Sequence, residues 1–98
     1  MAVGLVLKFA GMGQKEYDAV GAALNIKQEA GTGDWPTGLI SHSAGPTDDG
    51  NFVVSELWES RDAQGKFMQD RLGAALTAGG VRTTPDMTWY EALSNYRA

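Results

Sequence analysis

Residues 2–9 open the chain with a nearly unbroken apolar run. Val3, Leu5, Leu7 and Phe9 share one face, and Ala2, Gly4, Val6 and Lys8 the other. A short run rich in Val and Leu, closed by Gly11 and Gly13, predicts a strand. From 14 to 27 the period changes: Tyr17, Val20 and Leu24 fall on one stripe while Lys15, Glu16, Asp18 and Lys27 lie off it, which predicts a helix. Gly and Pro mark 28–36 as a loop, and Pro36 biases Trp35 toward an extended conformation. Strands over 37–44 and 51–59 flank a Gly-Pro-Thr-Asp-Asp-Gly turn. Ser60 is placed to cap the next helix, with Asp62 in the first turn, where the helix dipole favours a negative charge. That helix runs from 61 to about 78 with Ala63, Phe67, Leu72, Ala75 and Leu76 as its apolar stripe. Gly65 and Gly73 each weaken it by roughly 1 kcal/mol relative to Ala, so a bend is expected near Gly73. Gly79 and Gly80 end it through a left-handed C-cap. Residues 81–85 lead to a last strand over about 87–93, and the tail 94–98 is expected to be loose unless a partner chain holds it.

The order strand, helix, strand, strand, helix, strand is the α+β, ferredoxin-like βαββαβ arrangement: a four-stranded antiparallel sheet with both helices on one face. A length of 98 residues suits a single domain, 1–98. Two helices cover only one side of such a sheet, and the other side of an ordinary monomer would be polar. Here the third strand carries Val53 and Leu57 on one face and Phe52, Val54 and Trp58 on the other, and the first strand is apolar on both. An exposed apolar sheet face marks an interaction surface. The expectation is a two-fold homodimer, a dimeric α/β barrel, in which the Val54 and Trp58 face packs toward the partner and Val6, Val54, Trp58 and Trp89 line a shared cavity.

Charge narrows the partners. A formal charge of −4 and a pI near 4.7 argue against nucleic acid and against an anionic membrane surface. Without cysteine there are no disulfides, thiolate metal sites or cysteine nucleophiles. No apolar run approaches the ~20 residues of a membrane span, and the start, Met-Ala-Val-Gly-Leu-Val, lacks a basic leader. A cytoplasmic protein without cofactor or metal is expected. Gly11-Met12-Gly13 does not begin a dinucleotide fingerprint, because the third glycine would fall at Glu16. An RNA-recognition reading fails on the third strand, Asn-Phe-Val-Val-Ser-Glu-Leu-Trp, and an acylphosphatase reading fails because 10–14 contain no Arg.

His42 is the only histidine. If Gly45 stands opposite Asn51, His42 lies across from Val54 and diagonal to Glu56. Alternation then puts His42, Glu56 and Trp58 on one face, and Leu39, Ser41, Ser43, Val53, Ser55 and Leu57 on the other. A slip of one residue would separate the imidazole from the carboxylate. An imidazole oriented by a carboxylate beside an aromatic wall suits abstraction of a phenolic proton, with His42 and Glu56 as the catalytic candidates. The competing reading leaves His42 at a strand edge, hydrogen-bonded or solvated, with Glu56 paired to Lys8 or an Arg. Trp58 and Trp89 stay open between core or interface packing and contact with a small apolar or aromatic ligand. Trp35 stays open between covering a cavity mouth and packing on the first helix.

The segment 54–76, Val-Ser-Glu-Leu-Trp-Glu-Ser-Arg-Asp-Ala-Gln-Gly-Lys-Phe-Met-Gln-Asp-Arg-Leu-Gly-Ala-Ala-Leu, resembles the dimeric α/β-barrel superfamily, and within it the antibiotic-biosynthesis-monooxygenase-like group. Strand order and length match over essentially the whole chain. The resemblance implies a homodimer, and for some members cofactor-independent oxidation of quinols or anthrones; others are isomerases, degrade haem, or have no known reaction. Haem-degrading members carry an Asn on the first strand and a Trp and a His on the second helix. The positions here are Val6, Phe67 and Thr77, so that chemistry is not implied.

Overall fold

The structure, a computed structural model, describes residues 2–96; Met1, Arg97 and Ala98, the last two within the expected loose tail, lie outside the described residues. Six strands and a broken pair of helices follow the predicted order with one insertion. β1 is Val3–Phe9, α1 Gln14–Leu24, β2 Ile26–Lys27, β3 Thr32–Gly33, β4 Leu39–Pro46 and β5 Phe52–Trp58. The second helical stretch divides into α2 (Arg61–Phe67), a π-helical turn (Met68–Leu72) and α3 (Gly73–Ala78), and β6 is Asp86–Glu91.

The main sheet has the order β4-β5-β1-β6 and is antiparallel throughout, the ferredoxin-like arrangement. Opposed residues in such a ladder point to one side. Leu5 pairs with Glu56, Leu7 with Val54 and Phe9 with Phe52, so Phe52, Val54, Glu56 and Trp58 lie on the face that Leu5, Leu7 and Phe9 share. Val20 and Leu24 of α1, Phe67 of α2 and Ala75 of α3 pack on that face in one buried cluster. This corrects the expectation that Val54 and Trp58 face a partner. Trp58 is 0% exposed and belongs to the helix-covered core. The open face is built instead from Gly4, Val6, Val53, Ser55, Leu57, Thr88 and Tyr90. Tyr90 lies so close over Gly4 that any Cβ there would collide with its ring.

α1 ends three residues before the predicted Lys27. Asn25 takes the left-handed conformation (φ 57°) that Asn tolerates better than most residues, and its N–H closes on Ala22 O at 3.1 Å. The chain then turns Ile26 into the core, where it opposes Gly33 in the small β2–β3 hairpin, an element not expected within 28–36. Ser60 caps α2 as predicted: its hydroxyl accepts the Ala63 N–H at 3.1 Å. Near Gly73, where a bend is expected, the helix takes a π-helical turn instead: the Gly73 N–H reaches back five residues to Met68 O. At the far end, Val81 N–H bonds Leu76 O and Gly80 N–H bonds Thr77 O, with Gly80 at φ 81°, a Schellman closure that only glycine adopts without strain. Among the described residues no helix is long and apolar enough to cross a membrane.

Candidate functional site

β4 and β5 pair with His42 opposite Glu56, Ala44 opposite Val54 and Gly45 opposite Val53. The predicted pairing is two residues out. Two is the period of a strand, so His42, Glu56 and Trp58 still emerge on one side. That side is the helix-covered one.

Four polar side chains form a chain across it. Glu56 is 8% exposed, and its two oxygens are both taken: His42 Nδ1 lies 2.9 Å from Oε2, and Trp58 Nε1 donates to Oε1 at 3.0 Å. On the other side of the imidazole, the Tyr17 hydroxyl from α1 stands 2.7 Å from His42 Nε2. An ionised Glu56 only accepts, so Nδ1 carries the proton. A neutral imidazole then offers its Nε2 lone pair to the Tyr17 O–H. Burial, with the negative charges of Glu56 and Asp18 adding to it, pushes the Tyr17 phenol from 10.0 up to about 12. Tyr17 is therefore a neutral donor across the ordinary pH range.

These groups border an apolar cavity between sheet and helices, walled by Leu7, Phe9, Val54, Phe67, Trp35 and Leu39 among others, with Tyr17, His42 and Glu56 as polar members. The space in which the centre of a water-sized molecule can sit is about 50 Å³. At roughly 10–15 Å³ per water this holds a few waters. Tyr17 and His42 also line an open groove outside the cavity, which they share with Asp18, Ser43 and Phe52. The Tyr17–His42 pair thus stands where the interior meets the surface.

Of the predicted ligand contacts, Val54 lines the cavity. Trp58 does not; it holds Glu56 from behind, 5.9 Å from the Phe67 ring. Val6 opposes Ser55 and Thr88 on the open face, on the other side of the sheet from His42. Trp89 shares the helix-covered side but lies on the far edge strand, with the Arg61 guanidinium 5.1 Å above its ring. The structure therefore groups His42, Glu56 and Val54, ties Trp58 to Glu56, and leaves Val6 and Trp89 apart. The pairing of Glu56 with Lys8 does not occur; Lys8 meets Asp49 at 3.2 Å.

Two more residues stand at the cavity: Tyr17, which sequence reading left out of the site, and Trp35, which it left open. Tyr17 was legible only as a member of the α1 apolar stripe; the hydroxyl at the edge of that stripe was the available signal. Trp35 resolves toward the cavity: its ring centroid is 5.2 Å from that of His42. Arg71, in the π-helical turn, secures the Trp35 segment by donating to Leu24 O at 2.9 Å and Asp34 O at 2.7 Å. Among the described residues no group of three or more His, Asp and Glu side chains is placed to hold a metal ion.

No protein-family model matches the sequence, and no curated protein is similar to it by sequence. Solved structures do match in fold. A candidate antibiotic biosynthesis monooxygenase from Caulobacter crescentus superposes with a TM-score of 0.67 at 23% identity, covering 95% of this chain and 91% of that one. SnoaB, a cofactor-independent oxygenase from Streptomyces nogalater, gives 0.63 at 17% identity over 96% and 95% of the two chains. The monooxygenase ActVA-Orf6 of Streptomyces coelicolor, solved with the ligand nanaomycin D, gives 0.62 at 20% identity over 99% and 92%. The fold of this chain is that of the antibiotic-biosynthesis-monooxygenase-like proteins.

Proposed function

We propose that the protein is a cofactor-independent monooxygenase acting on a small aromatic, quinol-like or anthrone-like substrate, with His42 as the base. The observation that carries this reading is the His42–Glu56 pair, 2.9 Å apart and opening on an apolar cavity. A fold shared with oxygenases supports it.

The chemistry needs little from the protein. Removing a proton from an anthrone-type ring gives an electron-rich anion that reacts with dioxygen directly. A C–O bond forms, the resulting hydroperoxide loses water as its O–O bond breaks, and the methylene carbon becomes a carbonyl. The balance is CH2 + O2 → C=O + H2O, with no external reductant. His42 Nε2 takes the first proton, either from the substrate or through the Tyr17 hydroxyl, and Glu56 holds the imidazolium that forms. The apolar walls keep the anion out of water. Val54 contacts the ring, and Trp58 fixes the carboxylate.

The test is oxygen uptake with anthrone as probe. Wild type should accelerate uptake and yield anthraquinone, and His42→Gln should lose at least ~100-fold, the usual worth of a positioned base. Unchanged uptake in His42→Gln, or none above background in wild type, rejects the assignment. One observation favours a second, non-catalytic reading: the cavity is small and its polar groups already satisfy one another. Under it the four side chains are a structural network, and His42→Gln lowers stability without any turnover to lose.

The open face supports a second part of the proposal, a two-fold homodimer. Val6, Val53 and Tyr90 give it an apolar centre around the already buried Leu57, and Tyr90 is 48% exposed. A second copy of the same face is the partner that would cover it.

A further inference from the structure

The indole Nε1 of Trp35 is buried, and it has no hydrogen-bond partner among the described residues. A buried donor without a partner is costly, so native structures seldom keep one without a use. The only other buried side-chain donor of this kind among the described residues is Gln64 Nε2, and Gln64 does not line the cavity. Trp35 does line it, beside His42.

We infer that Trp35 is a specificity-determining residue: its indole N–H takes an acceptor oxygen of the ring whose hydroxyl faces His42. The inference rests on the site assigned above and extends it to a ligand class, a ring carrying both an acidic hydroxyl and a carbonyl. His42 with Nδ1 protonated offers only an acceptor at Nε2 and so selects the hydroxyl. Of the donors in the cavity wall, which include the Tyr17 hydroxyl and the Gln28 amide, the Trp35 N–H is the buried one without an acceptor. The segment that carries it lies between Gly33 and Gly38, at φ 102° and 90°, and Arg71 holds its Asp34 carbonyl. A cavity of about 50 Å³ admits a ring only if a wall yields, and this wall is a loop rather than a strand or helix.

The experiment compares two probes, 6-hydroxy-1-tetralone, which has hydroxyl and carbonyl, and 2-naphthol, which has the hydroxyl alone. Dissociation constants are measured by calorimetry under nitrogen on wild type and Trp35→Phe, which keeps a ring and removes the donor. Wild type should prefer the tetralone. Trp35→Phe should weaken the tetralone about 5- to 10-fold and leave 2-naphthol within two-fold. Equal losses for both probes, no loss for either, or no binding of the tetralone to wild type overturns the assignment. Turnover does not enter the measurement. Carbonyl-selective binding lost in Trp35→Phe, with no oxygen uptake in wild type, would retain Trp35 and discard the oxygenase reading.

Discussion

Glu56→Gln is the sharpest test of how the imidazole is set. The carboxylate accepts two hydrogen bonds, from His42 Nδ1 at 2.9 Å and Trp58 Nε1 at 3.0 Å. A glutamine in its place offers one acceptor and one NH2. Trp58 can only donate, so the amide oxygen must turn to it and the NH2 must face Nδ1. That nitrogen then has to be the bare one. The proton moves to Nε2, and the Tyr17 oxygen becomes its acceptor. All the bonds survive in number, but two lose a charged partner. Bonds to charged groups contribute about 1.5–3 kcal/mol against 0.5–1.5 for neutral ones, a deficit of about 2 kcal/mol for the two. Removing a buried charge offsets part of it, leaving about 1–2 kcal/mol. The imidazole would meanwhile lose its basic Nε2, which should lower oxygen uptake by ~100-fold or more. Urea denaturation reads the stability. Long-range ¹⁵N–¹H correlation at about pH 8.5, where an ordinary imidazole is neutral, reads the tautomer. A variant still protonated at Nδ1 would refute the reasoning. So would a loss above about 4 kcal/mol, the signature of two donors forced face to face without a tautomer change.

Two further predictions follow from geometry. Tyr17 is raised from 10.0 to about 12 in the fold, so the native state holds that proton more tightly than the unfolded chain. Its contribution is complete below pH 10 and lost as pH rises toward 12. Wild type should therefore lose melting temperature more steeply than Tyr17→Phe between those pH values, and parallel curves would contradict the burial argument. On the sheet, Val6→Lys should give a folded monomer by light scattering and circular dichroism, while Val54→Lys should unfold the chain because Val54 packs under the helices. A folded, dimeric Val6→Lys would remove the open face as the interface.

Strand order, the Ser60 cap and the glycine stop of the second helical stretch were legible because each is local chemistry. The faces of β5 were not. Val53 and Leu57 on one side and Phe52, Val54 and Trp58 on the other are both apolar, and alternation does not say which side helices will cover. Glu56 stands among the second set, and a carboxylate is rarely buried unless it is paired. Its burial is possible because His42 and Trp58 occupy both of its oxygens, and neither contact exists until β4 and β5 have paired. The π-helical turn was equally hidden. No Pro or Gly within Met68–Leu72 marks the turn, and its Arg71 donates to Leu24 O and Asp34 O, partners distant in sequence.

The two-residue error in register did not move His42 from the side of Glu56, whereas an error of one would have. Co-facial placement on paired strands is thus a more robust inference than contact, and contact needed a third element. Tyr17 supplies it from α1, so the polar chain Tyr17–His42–Glu56–Trp58 ties that helix to β4 and β5 through the imidazole. A ligand hydroxyl that takes Nε2 displaces the Tyr17 hydroxyl, which is the direct polar link between α1 and His42. The polar side chains Tyr17, His42 and Glu56 that border the cavity already satisfy one another through these bonds.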